Sequence, residues 1–244
     1  MSGVPLPFEQ LSWDETPMGV LGLRRRTDPT LRTEVYEVKL GDEYLMSSHF
    51  TVAEVALATL GLARLDGDDL EVVVGGLGLG YTARAVLDDP RVGSLVVVEA
   101  LPEVISWHEQ GLLPDVAGLA ADPRIRFVQA EMFAALDGGA GFDPGEPDRR
   151  FDAVLIDIDH SPRHVLHPSH AAFYTPEGLR PLLDRLTPGG VFGLWSDDPP
   201  DEAFLEVLGQ VFREVEAEVV TFDNPLAGET AANTIYLARA GQAG

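Results

Sequence analysis

The chain has 244 residues, 17 of them basic and 40 acidic, for a formal charge of −23. That length holds one large domain, or one domain with a small appendage, and a 45% hydrophobic content excludes wholesale disorder. The acidic balance argues against a binder of nucleic-acid backbones, which needs clustered Lys and Arg, and it suits either a cationic small substrate or a merely solubilising surface.

Cysteine is absent, which removes disulfides, zinc thiolate sites and a Cys nucleophile and leaves the redox compartment open. Lys39 is the only lysine; the other basic residues are arginines. Met1 to Trp13 has no basic n-region and is broken by Pro5 and Pro7, so it does not read as a signal peptide. No apolar run approaches the ~18 residues of a membrane helix, and a cytoplasmic location is the expectation.

In chain order, Gly19–Arg26 and Glu34–Leu40 alternate like strands, Gly41-Asp42 makes a turn, and Glu43–Met46 follows as a short third strand. Residues 1–50 therefore read as a small N-terminal β-hairpin unit. Thr51 to Leu65 fits a helix that ends at Asp66-Gly67-Asp68-Asp69. From Leu70 the pattern alternates. Strands are predicted at Glu71–Val74, Ser94–Val98, Ile125–Val128, Ala153–Ile156 and Val191–Trp195. Helices are predicted near Tyr81–Leu87, Leu101–Gly111, Met132–Leu136, Gly178–Arg185 and Asp201–Val211. Glu218–Phe222 and Thr234–Ala238 add a terminal antiparallel pair, and Asp137–Arg150 reads as a mobile Gly/Pro/Asp loop. Continuous apolar strands separated by helices imply an α/β fold, a Rossmann-like, doubly wound and mostly parallel sheet spanning residues 51–244.

The sharpest local feature is Val72-Val73-Val74-Gly75-Gly76-Leu77-Gly78-Leu79-Gly80, directly after one strand and before a helix. Gly75, Gly76, Gly78 and Gly80 let the backbone turn tightly against a ligand, and the helix N-terminus offers free N–H groups. The second strand ends at Glu99, at the spacing where an acid accepts hydrogen bonds from both hydroxyls of a ribose. Strand, loop, helix, strand and acid in this order point to a nucleoside cofactor. The loop is G-x-G-x-G, and residue 81 is Tyr where a dinucleotide motif needs its third glycine. This disfavours an NAD-dependent oxidoreductase and favours an S-adenosyl cofactor.

Five blocks then resemble the spermidine-synthase-like family of aminopropyltransferases, a branch of the class I S-adenosylmethionine-dependent methyltransferase fold. They are the Gly75–Gly80 loop, Val97-Val98-Glu99-Ala100-Leu101-Pro102-Glu103-Val104-Ile105, Arg126–Phe133, Phe151–Asp157, and Phe173-Tyr174 with Leu186–Val191. The resemblance implies that Glu99 holds the ribose hydroxyls. Glu131, where the family has Asp, would accept from the adenine amino group. Asp157 would be the first carboxylate of the substrate motif D-x-x-D.

Three family elements are altered. The acid of the family loop G-G-G-D-G-G is Gly78 here, the second D-x-x-D carboxylate is His160 with Asp159 one place earlier, and the Tyr-His/Gln-Glu block reads Met46-Ser47-Ser48. The losses favour transfer of methyl or another S-adenosylmethionine-derived group and weak rejection of a carboxylated cofactor; the overall similarity favours aminopropyl.

Four of the six histidines fall within Asp157–His170. Pro162 and Pro168 argue against a helix that would align them on a metal, so the segment reads as a substrate-facing loop in which Asp157, Asp159 and His160 supply the catalytic base. Trp107 and His108 read as packing, and Trp195 to Pro200 as a segment that can reach the crevice. The expectation is a transferase using S-adenosylmethionine or its decarboxylated form, with no metal. Its acceptor would be a small, cationic amine and its assembly a homodimer, without nucleic acid or membrane. The alternative is a non-catalytic nucleoside-binding scaffold.

Overall fold

The computed structural model describes residues 8–137, 141–158, 160–224 and 228–241. An N-terminal sheet is formed by β1 (Glu9–Thr16), β2 (Gly19–Thr27), β3 (Glu34–Leu40) and β4 (Glu43–Ser47), paired antiparallel in that order. It is thus a four-stranded meander, larger than the expected hairpin unit. The first strand escapes a sequence reading because EQLSWDET is mostly polar, with half of its positions exposed and none buried. Glu37, 2% exposed, lies under the meander and accepts from Arg24 at 2.5 Å and from Arg26 at 2.7 Å. These two arginines sit on one face of β2, as the period-2 alternation of a strand requires.

Helix α1 (Val52–Leu62) leads into the main sheet, which contains β5 (Leu70–Gly75), β6 (Val92–Glu99), β7 (Ile125–Gln129), β8 (Phe151–Ile156), β9 (Leu186–Ser196), β10 (Arg213–Asn224) and β11 (Glu229–Arg239). Their spatial order is β10-β11-β9-β8-β5-β6-β7. β5 to β9 run parallel; β11 is antiparallel to both β9 and β10. The α/β class and the parallel sheet are as the sequence predicts.

Alternation along each central strand feeds two separate cores. Val72, Val74, Leu95, Val97, Ala153 and Leu155 pack on one face with α1, α2 (Tyr81–Asp88) and α3 (Pro102–Glu109). Val73, Val96, Val98, Val154 and Ile156 pack on the other with α4 (Met132–Asp137), α5 (Pro176–Leu179), α6 (Leu182–Arg185) and α7 (Glu202–Gly209). With both faces covered, neither set can be polar, hence the unbroken apolar runs. Leu21, Leu23, Tyr36 and Val38 of the N-terminal meander join the first core.

Two Asp-Pro-Arg turns fasten helix ends to the strands that follow. Arg91 forks onto Asp89 and donates to the carbonyls of Leu62 at 3.0 Å and Leu65 at 2.7 Å, beyond α1. Arg124 forks onto Asp122 and donates to the Leu87 carbonyl in α2 at 2.8 Å. Each guanidinium reinforces carbonyls at a helix end, that of Leu62 together with the Leu65 N–H.

Three expectations are corrected. The helix expected over Gly178–Arg185 is split into α5 and α6, because Pro181 has no N–H to continue the ladder. β9 begins at Leu186, five residues early. The expected mobile loop is anchored over its described part, residues 141–150. Phe142 is 1% exposed, and the buried Asp143 pairs with Arg126 at 2.8 Å and Arg149 at 3.1 Å.

Candidate active site

The strand register sets the site. Gly75, the last residue of β5, pairs with Val98 of β6 on one side and Ile156 of β8 on the other. The next residues of the two neighbours, Glu99 and Asp157, therefore emerge on either side of the glycine loop. This is where the strand order reverses, and where open α/β sheets bind ligands.

The loop glycines answer to close neighbours. Gly76, at φ +90°, leaves room for the Asp157 carbonyl oxygen, which a Cβ would approach to 2.1 Å. A Cβ on Gly80, at φ +86°, would meet the His108 ring at 2.6 Å. His108 Nε2 donates to the Gly78 carbonyl at 2.9 Å, and burial holds its pKa below the usual imidazole range. The packing role expected of His108 is thus specific: it braces the loop from α3.

Glu99 accepts the Leu77 N–H at 2.9 Å on one oxygen and the Leu101 N–H at 2.8 Å on the other, while burial pushes its pKa above the ordinary carboxylate value. The Gly78 and Ala100 N–H groups also act on this carboxylate, so a ligand hydroxyl there would join a backbone cradle. Glu131 accepts from Phe133 N–H at 3.0 Å and Ala134 N–H at 2.6 Å, so it caps α4. His170 Nε2 stands 3.8 Å from its carboxylate. Glu99, Glu131, Met132 and Trp107 line an apolar slot of about 120 Å3, roofed by Leu21, Val38, Leu40 and Met46 of the meander.

A second cavity of about 380 Å3 adjoins the slot; Leu45, Met46, Gly78, Asp157, Ile158 and Leu166 border both. Its acids are Glu54, Asp157 and Asp197, and its aromatic walls include Tyr44, Phe50, Tyr81, Trp195 and Phe222. No Lys or Arg lines either space among the described residues. Thr82 donates its hydroxyl to Asp157 Oδ2 at 2.8 Å. Burial raises the Asp157 pKa to about 6, and burial together with the charge of Asp157 raises that of Glu54 to about 8. Asn233 donates to Asp197 at 2.8 Å.

Asp157 and His160 thus border one cavity, but the His160 ring meets Glu43, 3.0 Å away, linking the loop after β8 to the start of β4. Asp159 lies outside the described residues. His164 lies 3.0 Å from Asp198, His167 caps a short 3-10 turn through Ser169, and His170 packs edge-on to Phe133. Among the described residues no three such groups converge as metal ligands do.

Two acids escaped the sequence reading. Glu54 is a lone carboxylate in the first turn of an apolar helix, which ordinarily faces solvent. Asp197 was covered only as part of a segment able to reach the crevice. The usable signal for Glu54 was that its helix runs directly into the glycine-loop strand.

No family model matches the chain. A polyamine aminopropyltransferase of Corynebacterium efficiens is 32% identical over 119 residues, 49% of this chain and 21% of the relative. One from Mycobacterium tuberculosis is 31% identical over 134 residues, 55% of this chain and 24% of the relative. The match thus spans only about a fifth to a quarter of the length of these curated relatives. Among solved structures, spermidine synthase from Thermotoga maritima superposes with a TM-score of 0.70 at 18% identity, covering 96% of this chain and 74% of that one. Spermidine synthase in complex with the transition-state analogue AdoDATO gives 0.69 at 17% identity, covering 96% and 73%. At such identity the superposition establishes the fold. No helix among the described residues is long and apolar enough to cross a membrane.

Proposed function

From this spermidine-synthase-like fold we propose that the chain is an aminopropyltransferase that moves the aminopropyl group of decarboxylated S-adenosylmethionine to a small cationic amine. The observation that carries this reading is the charge of the cleft: carboxylates line it, with no Lys or Arg beside them among the described residues. An ammonium is stabilised there, and a carboxylated donor meets like charge without a compensating cation. Gly78 removes the family's loop acid, yet Glu54, Asp157 and Asp197 leave the cavity acidic, with no compensating Lys or Arg among the described residues. Weak rejection of the carboxylated cofactor, expected from Gly78 alone, therefore gives way here to a preference for the decarboxylated form.

The donor supplies a sulfonium leaving group, so the chain's own task is alignment, desolvation and removal of a proton. In this reading Glu99 takes the ribose hydroxyls, the slot under the meander takes the base with Glu131 at its rim, and the glycine loop brings the backbone close. Asp157, beside the loop, faces the acceptor and receives the proton that the amine loses as nitrogen bonds to the propyl carbon and the carbon–sulfur bond breaks. Glu54 and Asp197 hold the ammonium groups. His160 closes the cavity mouth through Glu43.

The test is a transfer assay with either donor and a set of diamines, read by mass spectrometry for the aminopropylated product and 5′-methylthioadenosine. A methylated product from S-adenosylmethionine, with nothing formed from the decarboxylated donor, overturns the reading.

A further inference from the structure

We propose that Glu54 and Asp157 share a proton in the empty site, and that the ammonium of the acceptor displaces it, so that acceptor binding discharges a proton to solvent. This rests on the acceptor site proposed above and adds the protonation state in which that site waits.

The geometry supports it group by group. Glu54 from α1 and Asp157 from the end of β8 border the same cavity, and neither has an ion-pair partner among the described residues. Asp197 adds its own negative charge to Glu54, and each titratable group facing the pair has a hydrogen-bond partner of its own. From the loop after β9, Asp197 accepts from Asn233 at 2.8 Å. From the loop after β8, His160 lies 3.0 Å from Glu43. From α2, Tyr81 donates to Asp115 at 2.8 Å, and from β4, Tyr44 donates to Glu37 at 3.3 Å. Among the described residues, the side chain committed to the pair is the Thr82 hydroxyl on Asp157 Oδ2, which is neutral.

Two carboxylates in a partly desolvated space without a cation do not both ionise readily; one proton serves the pair. The raised pKa values of both groups agree with this. An arriving ammonium supplies the missing positive charge, both carboxylates ionise, and the proton leaves to buffer. The emptied pair is then the base that takes the amine's own proton during transfer. Loading the acceptor thus readies the proton acceptor for the step that follows.

The experiment is titration calorimetry of 1,4-diaminobutane into the protein saturated with 5′-methylthioadenosine, in buffers of different ionisation enthalpy. At pH 7 about one proton should be released per amine bound, falling toward zero at pH 9, where the pair is already ionised. In Glu54→Gln the release at pH 7 should largely disappear. If the proton instead came from the amine itself, release would persist at pH 9 and in Glu54→Gln, and the proposal would be wrong. Binding with no proton release at pH 7 overturns it while leaving the acceptor site standing. No binding of the diamine at either pH overturns the acceptor site as well. The wild-type pH comparison decides the matter even where Glu54→Gln does not fold.

Discussion

Met46 occupies the space that a side chain on Gly78 would need: a Cβ at that position would lie 2.7 Å from the Met46 sulfur. The meander thus fills, with an apolar thioether, the space that any side chain at position 78 would take. Gly78→Asp alone should destabilise the chain, through this contact and through the positive φ of +46°. Combined with Met46→Ala it should recover at least ~1 kcal/mol of that loss, as coupled neighbours do. Urea melts of the two single variants and the double variant check this; strict additivity refutes the contact.

Glu99 should be the main polar anchor of the nucleoside. Glu99→Ala strands the ligand hydroxyls and the Leu77 and Leu101 N–H groups together, so affinity for 5′-methylthioadenosine should fall by roughly 1–3 kcal/mol. Calorimetry on wild type and variant measures it, and an unchanged affinity removes Glu99 from the site.

Asp157 and His160 should separate in their effects. Asp157→Asn should retain nucleoside binding and lose about 10²-fold or more in turnover, the scale of a missing base. His160→Ala, whose ring pairs with Glu43 at the cavity mouth, should change turnover much less and shift the acceptor KM. Equal losses of turnover in the two variants would return His160 to the chemistry.

The raised carboxyls set a sign for stability against pH. Glu54 has an ordinary value of 4.5 and is raised to about 8 in the folded chain, so the native state holds protons that the unfolded chain releases. This contribution is fully present below about pH 4.5 and is lost as pH rises through about 8, with Asp157 adding to the fall below about 6. Glu54→Gln should flatten the decline and raise the melting temperature at pH 8–9, at ~2–4 °C per kcal/mol for a chain of this size. A wild-type melting temperature that climbs from pH 5 to pH 8, unaltered in its slope by Glu54→Gln, contradicts the assignment.

Asp143, buried between Arg126 and Arg149, should matter more than its loop suggests. Asp143→Ala takes from Arg149 one of its two carboxylate partners, Glu71 remaining at 3.1 Å, and should cost about 1–3 kcal/mol in denaturant unfolding. A loss below ~1 kcal/mol would mean that the segment is only loosely attached.

The central sheet is readable in the sequence because burial on both faces leaves runs such as Val72-Val73-Val74 with one interpretation. The glycine loop and Glu99 are readable because loop, helix and strand occur at fixed spacing. β1 is not, since a strand with one exposed face and an exposed Trp13 carries no apolar signature. Glu54 is hidden for a related reason: its role comes from the packing of α1 against the sheet, a contact between distant parts of the chain that no local pattern records. The anchored loop is the converse case. Its Gly and Pro content suggests mobility, and only Phe142 and Asp143, two residues in fourteen, oppose that.

The Asp-Pro-Arg turns at 89–91 and 122–124 divide the molecule's charge into two kinds. Arg124 holds Asp122 down to about 2, Arg91 likewise depresses Asp89, and the guanidinium partners stay charged throughout. The rivets between helix and strand are therefore indifferent to acidity across the range in which Glu54 and Asp157 change state. The cleft can take up or shed protons while the frame around it keeps the same charge.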